Sequence, residues 1–128
     1  MPSSDDGRRP PRRSTHEKGR DFERLAASFF EQQGYAIVAR NWRAGRMEID
    51  LVARRENLLV FVEVKASLSD AFGHPAERVD QRKITHLTQA ARQFMIERGV
   101  VDCDVRFDVV TFAGGRLEHY PNAFEAAE

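Results

Sequence analysis

The sequence predicts an α/β protein: a mixed β-sheet flanked by two helices, in the order αβββαββ. Three observations predict it. Apolar residues recur at helical spacing in two separated stretches, 22–30 and 84–95. Between them lie three β-like runs joined by short connections containing Ala44-Gly45 and Arg55-Glu56-Asn57, the pattern of consecutive antiparallel hairpins. A further β-run follows the second helical stretch, and a strand reached through a helical crossover should lie parallel to a neighbour.

Residues 1–13 hold no periodic apolar residue and are rich in Pro, Ser and Arg, the composition of a disordered basic tail. Arg8, Arg9, Arg12 and Arg13 suit phosphate-backbone contacts, and equally suit plain solvation. Ser14 followed by Glu17 has the spacing of a capping box and opens the first helix. Phe22, Leu25, Ala26, Phe29 and Phe30 form its apolar face, and Gly34 stops it. Strand one is expected over Tyr35–Asn41, strand two over Arg46–Ala53 and strand three over Leu58–Ala66. A polar loop, 67–79, carries Phe72-Gly73-His74-Pro75. Asp80 caps a second helix, whose Ile84, Leu87, Ala91, Phe94 and Met95 share a face until Gly99. Val105–Phe112 is the fourth strand, and Gly114-Gly115 turns the chain into a short fifth, Leu117–Tyr120. The folded domain is therefore expected over 14–122, followed by a short acidic tail at 123–128.

Composition narrows the class without naming a function. At 128 residues the chain is long enough for one buried core, and 41% hydrophobic with 31% charged residues is ordinary for a soluble globular protein. The formal net charge is zero, so whole-chain charge gives no support for nucleic-acid binding, although a local basic stripe would suffice. Residues 1–20 carry six Lys and Arg against three acids, whereas residues 117–128 carry three Glu and no Lys or Arg. Cys103 is the single cysteine, which excludes an intrachain disulfide and suits a reducing, cytoplasmic compartment. The longest uninterrupted apolar run, Leu58 to Val62, is far too short to span a bilayer, and no signal-like segment is present, so no membrane partner is expected.

The informative feature is the third strand. Its apolar run gives way to Glu63 and Lys65, which alternation places on one face, adjacent along the strand. Charges leaving a hydrophobic strand must be paired or must bind a metal. With Asp50 on the neighbouring strand, two carboxylates and an ammonium come together, the groups used in Mg²⁺-dependent phosphodiester cleavage. Taken singly, Asp50 and Glu63 are also compatible with ion pairs to Arg54 or Lys65; their combination favours a metal-type site. Glu48 shares a strand face with Asp50 and suits first a salt bridge with a nearby Arg and second a metal role. His16, His86 and His119 show no zinc-ligand spacing with Cys103. No Gly-rich phosphate loop or Ser-His-Asp pattern occurs.

An acid, roughly a dozen residues, then Glu-x-Lys closing an apolar strand resembles the PD-(D/E)XK nuclease superfamily, the restriction-endonuclease-like fold, whose core has the order αβββαβ. Gly19…Glu23, Arg40-Asn41, Glu48-Ile49-Asp50-Leu51, Phe61-Val62-Glu63-Val64-Lys65, Lys83 and Arg106-Phe107-Asp108-Val109 look like the small bacterial YraN-type family, itself similar to Holliday-junction resolvases. The resemblance covers about residues 15–120. One departure is Met47, where that family usually has Gly, a residue that would permit a bulge or a close backbone approach.

The resemblance implies that Asp50, Glu63 and the backbone carbonyl of Val64 bind Mg²⁺ or Mn²⁺, hard ions suited to oxygen ligands. Lys65 would orient or activate the attacking water and stabilise charge on the phosphate. It also places a helix-borne Glu beside the metal, which makes Glu23 a candidate ligand or water positioner; a boundary Glu of this kind is otherwise just solvated. Lys83 would either snorkel from its apolar arc or hold phosphate at the start of the second helix. Gln81 is a weaker candidate on that helix, and His74 suits either substrate contact or simple exposure. Arg106 and Asp108 are expected to pair across the sheet. The implied activity is an endonuclease acting on branched or otherwise structured DNA, as a homodimer if it cuts two strands symmetrically. RNA as the substrate, or a nucleic-acid-binding or assembly protein without turnover, would be compatible with the same residues.

Overall fold

Leu59, Val60, Phe61 and Val62 are apolar without alternation because both sides of their strand are covered. In the computed structural model, which describes residues 15–67 and 80–127, one helix lies on each face of a single sheet. The elements are α1 (Thr15–Gln32), β1 (Ala36–Ala44), β2 (Met47–Arg55), β3 (Leu58–Ser67), α2 (Gln81–Arg98), β4 (Asp104–Ala113) and β5 (Arg116–Tyr120). The strands lie in sequence order, β1-β2-β3-β4-β5. β1 pairs antiparallel with β2, and β2 antiparallel with β3. The crossover through α2 makes β4 parallel to β3, as its connection requires, and β5 returns antiparallel to β4. This is the expected α/β fold, consistent with a restriction-endonuclease-like sheet.

Alternation divides the core in two. Val60, Val62, Leu51, Ala53, Val110 and Phe112 pack with Ala26, Ala27 and Phe30 of α1. Leu59, Phe61, Val52, Ile49 and Phe107 pack with Leu87, Ala90, Ala91 and Phe94 of α2. α2 starts at Asp80, whose Oδ1 accepts the Lys83 N–H at 2.9 Å. It stops at Gly99, whose φ of 63° is the left-handed conformation that glycine adopts without penalty.

One boundary and one pairing differ from expectation for a physical reason. β1 runs on to Ala44 because Asn41 takes a φ of 49° within the strand instead of ending it. Trp42 then turns toward α2, with its ring 5.3 Å from Phe94. Arg106 and Asp108 pair along one strand, two residues apart; the contact across the sheet is made by Asp108 with His119 of β5. The proposed Ser14 cap, the tail arginines Arg8, Arg9, Arg12 and Arg13, and His74 with most of its loop lie outside the described residues. Residues 123–127 lie against the α2 side: Phe124 stacks on Phe107 at 5.1 Å, and the Ala127 N–H donates to Thr88 Oγ1 at 2.9 Å.

Asp108 is fully buried, and every contact it makes is charge-assisted or from backbone. Arg106 grips both of its oxygens at 2.8 Å, His119 Nε2 lies 2.6 Å from Oδ2, and the Asn122 N–H donates to Oδ1 at 2.9 Å. Burial alone would raise this carboxyl, but the hydrogen bonds from His119, Arg106 and Asn122 outweigh it and hold the group below its ordinary value. Its stabilisation is therefore present above the unfolded-state value near 3.8 and is lost as pH falls through the lower folded value. Asp108→Asn should destabilise the protein by about 3 kcal/mol, since it leaves a partly buried guanidinium uncompensated. Urea unfolding at pH 7 checks the size, and the difference between variant and wild type should shrink under strongly acidic conditions.

Candidate functional site

Asp50 and Glu63 are the first residues beyond the last β2–β3 pair, Leu51↔Val62. Alternation breaks here: Ile49 belongs to the α2-side core and Leu51 to the α1-side core, although they are two residues apart. The irregularity frees Asp50 from ladder geometry. Its Oδ2 accepts the Val64 N–H at 2.8 Å, so the backbone of β3 holds the side chain of β2 in place.

The electrostatics of Asp50 show what surrounds it. Its carboxyl is pushed up from 3.8 to about 8, first by burial, then by the charge of Glu63, with the Val64 N–H opposing and Glu23 adding a smaller push. A side-chain hydrogen bond with Glu63 adds the smallest push in the same direction. Glu63 is itself nearly buried, at 9% exposure. Its Oε2 meets Lys83 Nζ of α2 at 3.2 Å.

These groups line one cleft of about 360 Å³ together with Arg46, Met47, Glu48, Val64, His86 and Leu87. Glu48 also bridges to Arg43 at 3.3 Å, the structural pairing expected for it. Met47 is half-buried and is not among the residues with positive φ, so the start of β2 accepts a side chain where the family's glycine would stand. A larger groove of about 640 Å³, between α1 and the β4–β5 hairpin, is lined by Phe22, Leu25, Phe29, Phe112 and Leu117 without a charged group. It offers no chemistry for phosphate ester hydrolysis.

The remaining candidates are not in the lining of this cleft. Lys65 is half-buried and does not line the cleft: two residues past Glu63 means roughly 6–7 Å further along the strand. The ammonium in contact with the acids is thus Lys83. Glu23 acts on Asp50 through its charge, and its Oε1 is buried. Among the described residues no group of three or more His, Cys, Asp or Glu side chains is arranged to hold a metal ion. Gln81 is exposed at the start of α2 and does not line the cleft. Arg46 and His86 were not singled out as site residues by the sequence. His86 lies three residues after Lys83 and so shares its helix face, a signal that was there to be read. Arg46 sits in the tight β1–β2 turn, where nothing in the pattern marks it.

The acid pair fits a hard divalent cation. Such ions are bound through one or two carboxylates and keep several waters, and two converging carboxylates repel each other unless a cation or a proton intervenes. Asp50, Glu63 and the Val64 carbonyl would supply the protein oxygens.

Residues 22–112, which include Glu23, Asp50, Glu63, Val64, Lys65 and Lys83, match the family described as uncharacterised protein family UPF0102. The chain is 38% identical over 108 residues to a UPF0102 protein of Sulfurihydrogenibium, covering 84% of this chain and 94% of that one. It is 41% identical over 113 residues to a UPF0102 protein of Bacteroides thetaiotaomicron, covering 85% and 93%. A UPF0102 protein of Desulforapulum autotrophicum is 45% identical over 111 residues, covering 84% and 92%. Matched through the strands that carry its acid pair and along nearly the full length of such relatives, the chain belongs to the UPF0102 family, the YraN-type proteins of its motif.

Proposed function

We propose that this protein is an Mg²⁺- or Mn²⁺-dependent endonuclease that hydrolyses phosphodiester bonds in structured or branched DNA, in the manner of Holliday-junction resolvases. One observation carries the reading: the half-buried Asp50 and the buried Glu63 come together where β2 and β3 leave their ladder, in the lining of a cleft with cationic side chains. A cation bound there would polarise the phosphate and lower the pKa of the attacking water. Val64 orients Asp50 through its N–H, and Glu23 raises the negative field at the site. Lys65, further along β3 and outside the cleft lining, would stabilise charge developing on the phosphate once substrate enters. Arg46 and His86 add positive or hydrogen-bonding groups to the cleft wall.

A second reading, a nucleic-acid-binding or assembly protein without turnover, draws on one feature. The lysine in contact with Glu63 is Lys83, and Lys65 of the Glu-x-Lys motif lies outside the cleft lining. Labelled DNA and RNA substrates, four-way junctions included, incubated with Mg²⁺ and Mn²⁺ decide between them. Binding without cutting under either ion gives the case to the second reading.

The acid pair and Lys65 give three expected outcomes. The folded Asp50 carboxyl titrates near 8, above its 3.8 reference, so the native state holds a proton that the unfolded state has released. Stability contributed by that proton is full below the lower value and is lost as pH rises toward the higher one. Without metal, the wild-type melting temperature should therefore carry a downward component from about pH 4 to pH 8 that Asp50→Asn lacks. Mn²⁺ should raise melting at pH 8 in wild type and not in Asp50→Asn with Glu63→Gln, because only the intact pair binds it. Equal shifts in both proteins would remove the metal centre.

Lys65→Ala should leave metal uptake intact and reduce junction affinity only modestly, since phosphate affinity is distributed over several contacts. Cleavage should fall about a hundredfold or more, the usual loss for one preorganised charge-stabilising group. Equal losses in binding and cleavage on the same junction would make Lys65 a phosphate anchor.

A further inference from the structure

The first turn of α2 is electrostatically inverted. Gln81, Arg82 and Lys83 follow the Asp80 cap, and no acidic residue lies in that turn. Cations at a helix N-terminus oppose the macrodipole, so helix stability does not account for Lys83. Its partner does: Nζ lies 3.2 Å from Oε2 of Glu63 on β3. The two ends of this pair differ. The Glu63 side chain is 10% exposed and fixed by the sheet, whereas the Lys83 side chain is 44% exposed. The Lys83 backbone is pinned, because its N–H is held by Asp80 Oδ1, but its four-carbon stem is free to swing toward solvent.

From this geometry, and resting on the metal-centre reading above, we propose that Lys83 is a built-in counter-ion of Glu63. It gives up the carboxylate when a divalent cation binds and turns to a phosphate of the incoming nucleic acid. The same ammonium then has two exclusive places. In the metal-free protein it neutralises a buried carboxylate whose charge would otherwise be uncompensated. With a cation on the acids, like charge drives it out into the cleft, on the side lined by His86. Phosphate contacts there reward the displaced state. Metal and nucleic acid should therefore bind with positive coupling, and linkage requires each to strengthen the other by one common factor.

The test uses the full chain, Ca²⁺ as a hard cation taking the same oxygen ligands, and a four-way DNA junction. Calorimetry gives Ca²⁺ affinity of the free protein; fluorescence anisotropy gives junction affinity with and without Ca²⁺. Lys83→Met should bind Ca²⁺ roughly tenfold more tightly than wild type, because an ammonium in contact with the ligand no longer competes. The tightening of junction binding by Ca²⁺ should shrink by a similar factor. Lys83→Arg should preserve both wild-type behaviours. Arg82→Met, which removes an exposed cation from the same turn, should change Ca²⁺ affinity by no more than about twofold, since solvent screens it. Unchanged Ca²⁺ affinity in folded Lys83→Met, or equal gains in the Arg82 and Lys83 variants, would overturn the counter-ion assignment and leave the metal centre standing. Wild-type protein that takes up no Ca²⁺ and no Mn²⁺ would remove the metal centre itself. If Lys83→Met does not fold, Lys83→Gln stands in for it, and loss of the fold in both makes Lys83 a structural strut and ends the proposal.

Discussion

A strand covered by a helix on each face can carry a charge only where another charge, a proton or an ion answers it. That constraint governs β3 and, through it, the organisation of this protein. From Leu59 to Val62 the strand is apolar on both sides, and it sits in the middle of five strands with its parallel partner on one side and a hairpin partner on the other. Glu63 is where the apolar run ends. What answers it comes from a different element: the ammonium of Lys83 of α2, 3.2 Å from its Oε2, while the neighbouring Asp50 of β2 is pushed toward its neutral form. Glu23 of α1 adds its field to Asp50 from the opposite layer.

The protein contains a second buried acid, and the contrast is instructive. Asp108 is more deeply buried than Glu63, yet hydrogen bonds from Arg106, His119 and the Asn122 amide satisfy it. Arg106 also reaches the Tyr35 hydroxyl, and the His119 ring packs edge-on against Phe29 and Phe30. That network is closed, and it ties β4, β5 and the end of α1 together. The Asp50–Glu63 pair is open. It faces a cleft, and one of its carboxyls is held protonated at neutral pH by burial and by its neighbours. A closed network stabilises a fold; an open one, left dependent on a proton, is suited to exchange that proton for a cation.

Placement of the C-terminal residues supports the same division of labour. Ala123 donates to the Phe107 carbonyl, Phe124 stacks on Phe107, and Ala127 reaches Thr88 and Arg92 of α2. α2 is thus packed from the sheet side through Phe94 and Leu87 and strapped near its middle, while its first turn stands over the cleft. Lys83 and His86 are presented from a helix whose position is fixed by the core, so their reach into the cleft is set by packing elsewhere.

The sequence by itself determined the element order, the two amphipathic helices, the hairpins and the parallel crossover, because apolar periodicity and connection length are local properties that chain chemistry dictates. It also marked Asp50 and Glu63, since an acid closing an apolar strand is visible without coordinates. Strand ends were less legible: Asn41 reads as a stop, but a left-handed residue inside β1 redirects Trp42 onto Phe94. Only the tertiary structure decided which lysine meets the acids. Lys65 follows Glu63 on one strand face yet does not line the cleft, whereas α2 packs across the sheet and delivers Lys83 Nζ to Glu63 Oε2. Arg46 and His86 join the cleft for the same reason, because a turn and a helix far apart in the chain are brought together by the packing of the α2-side core.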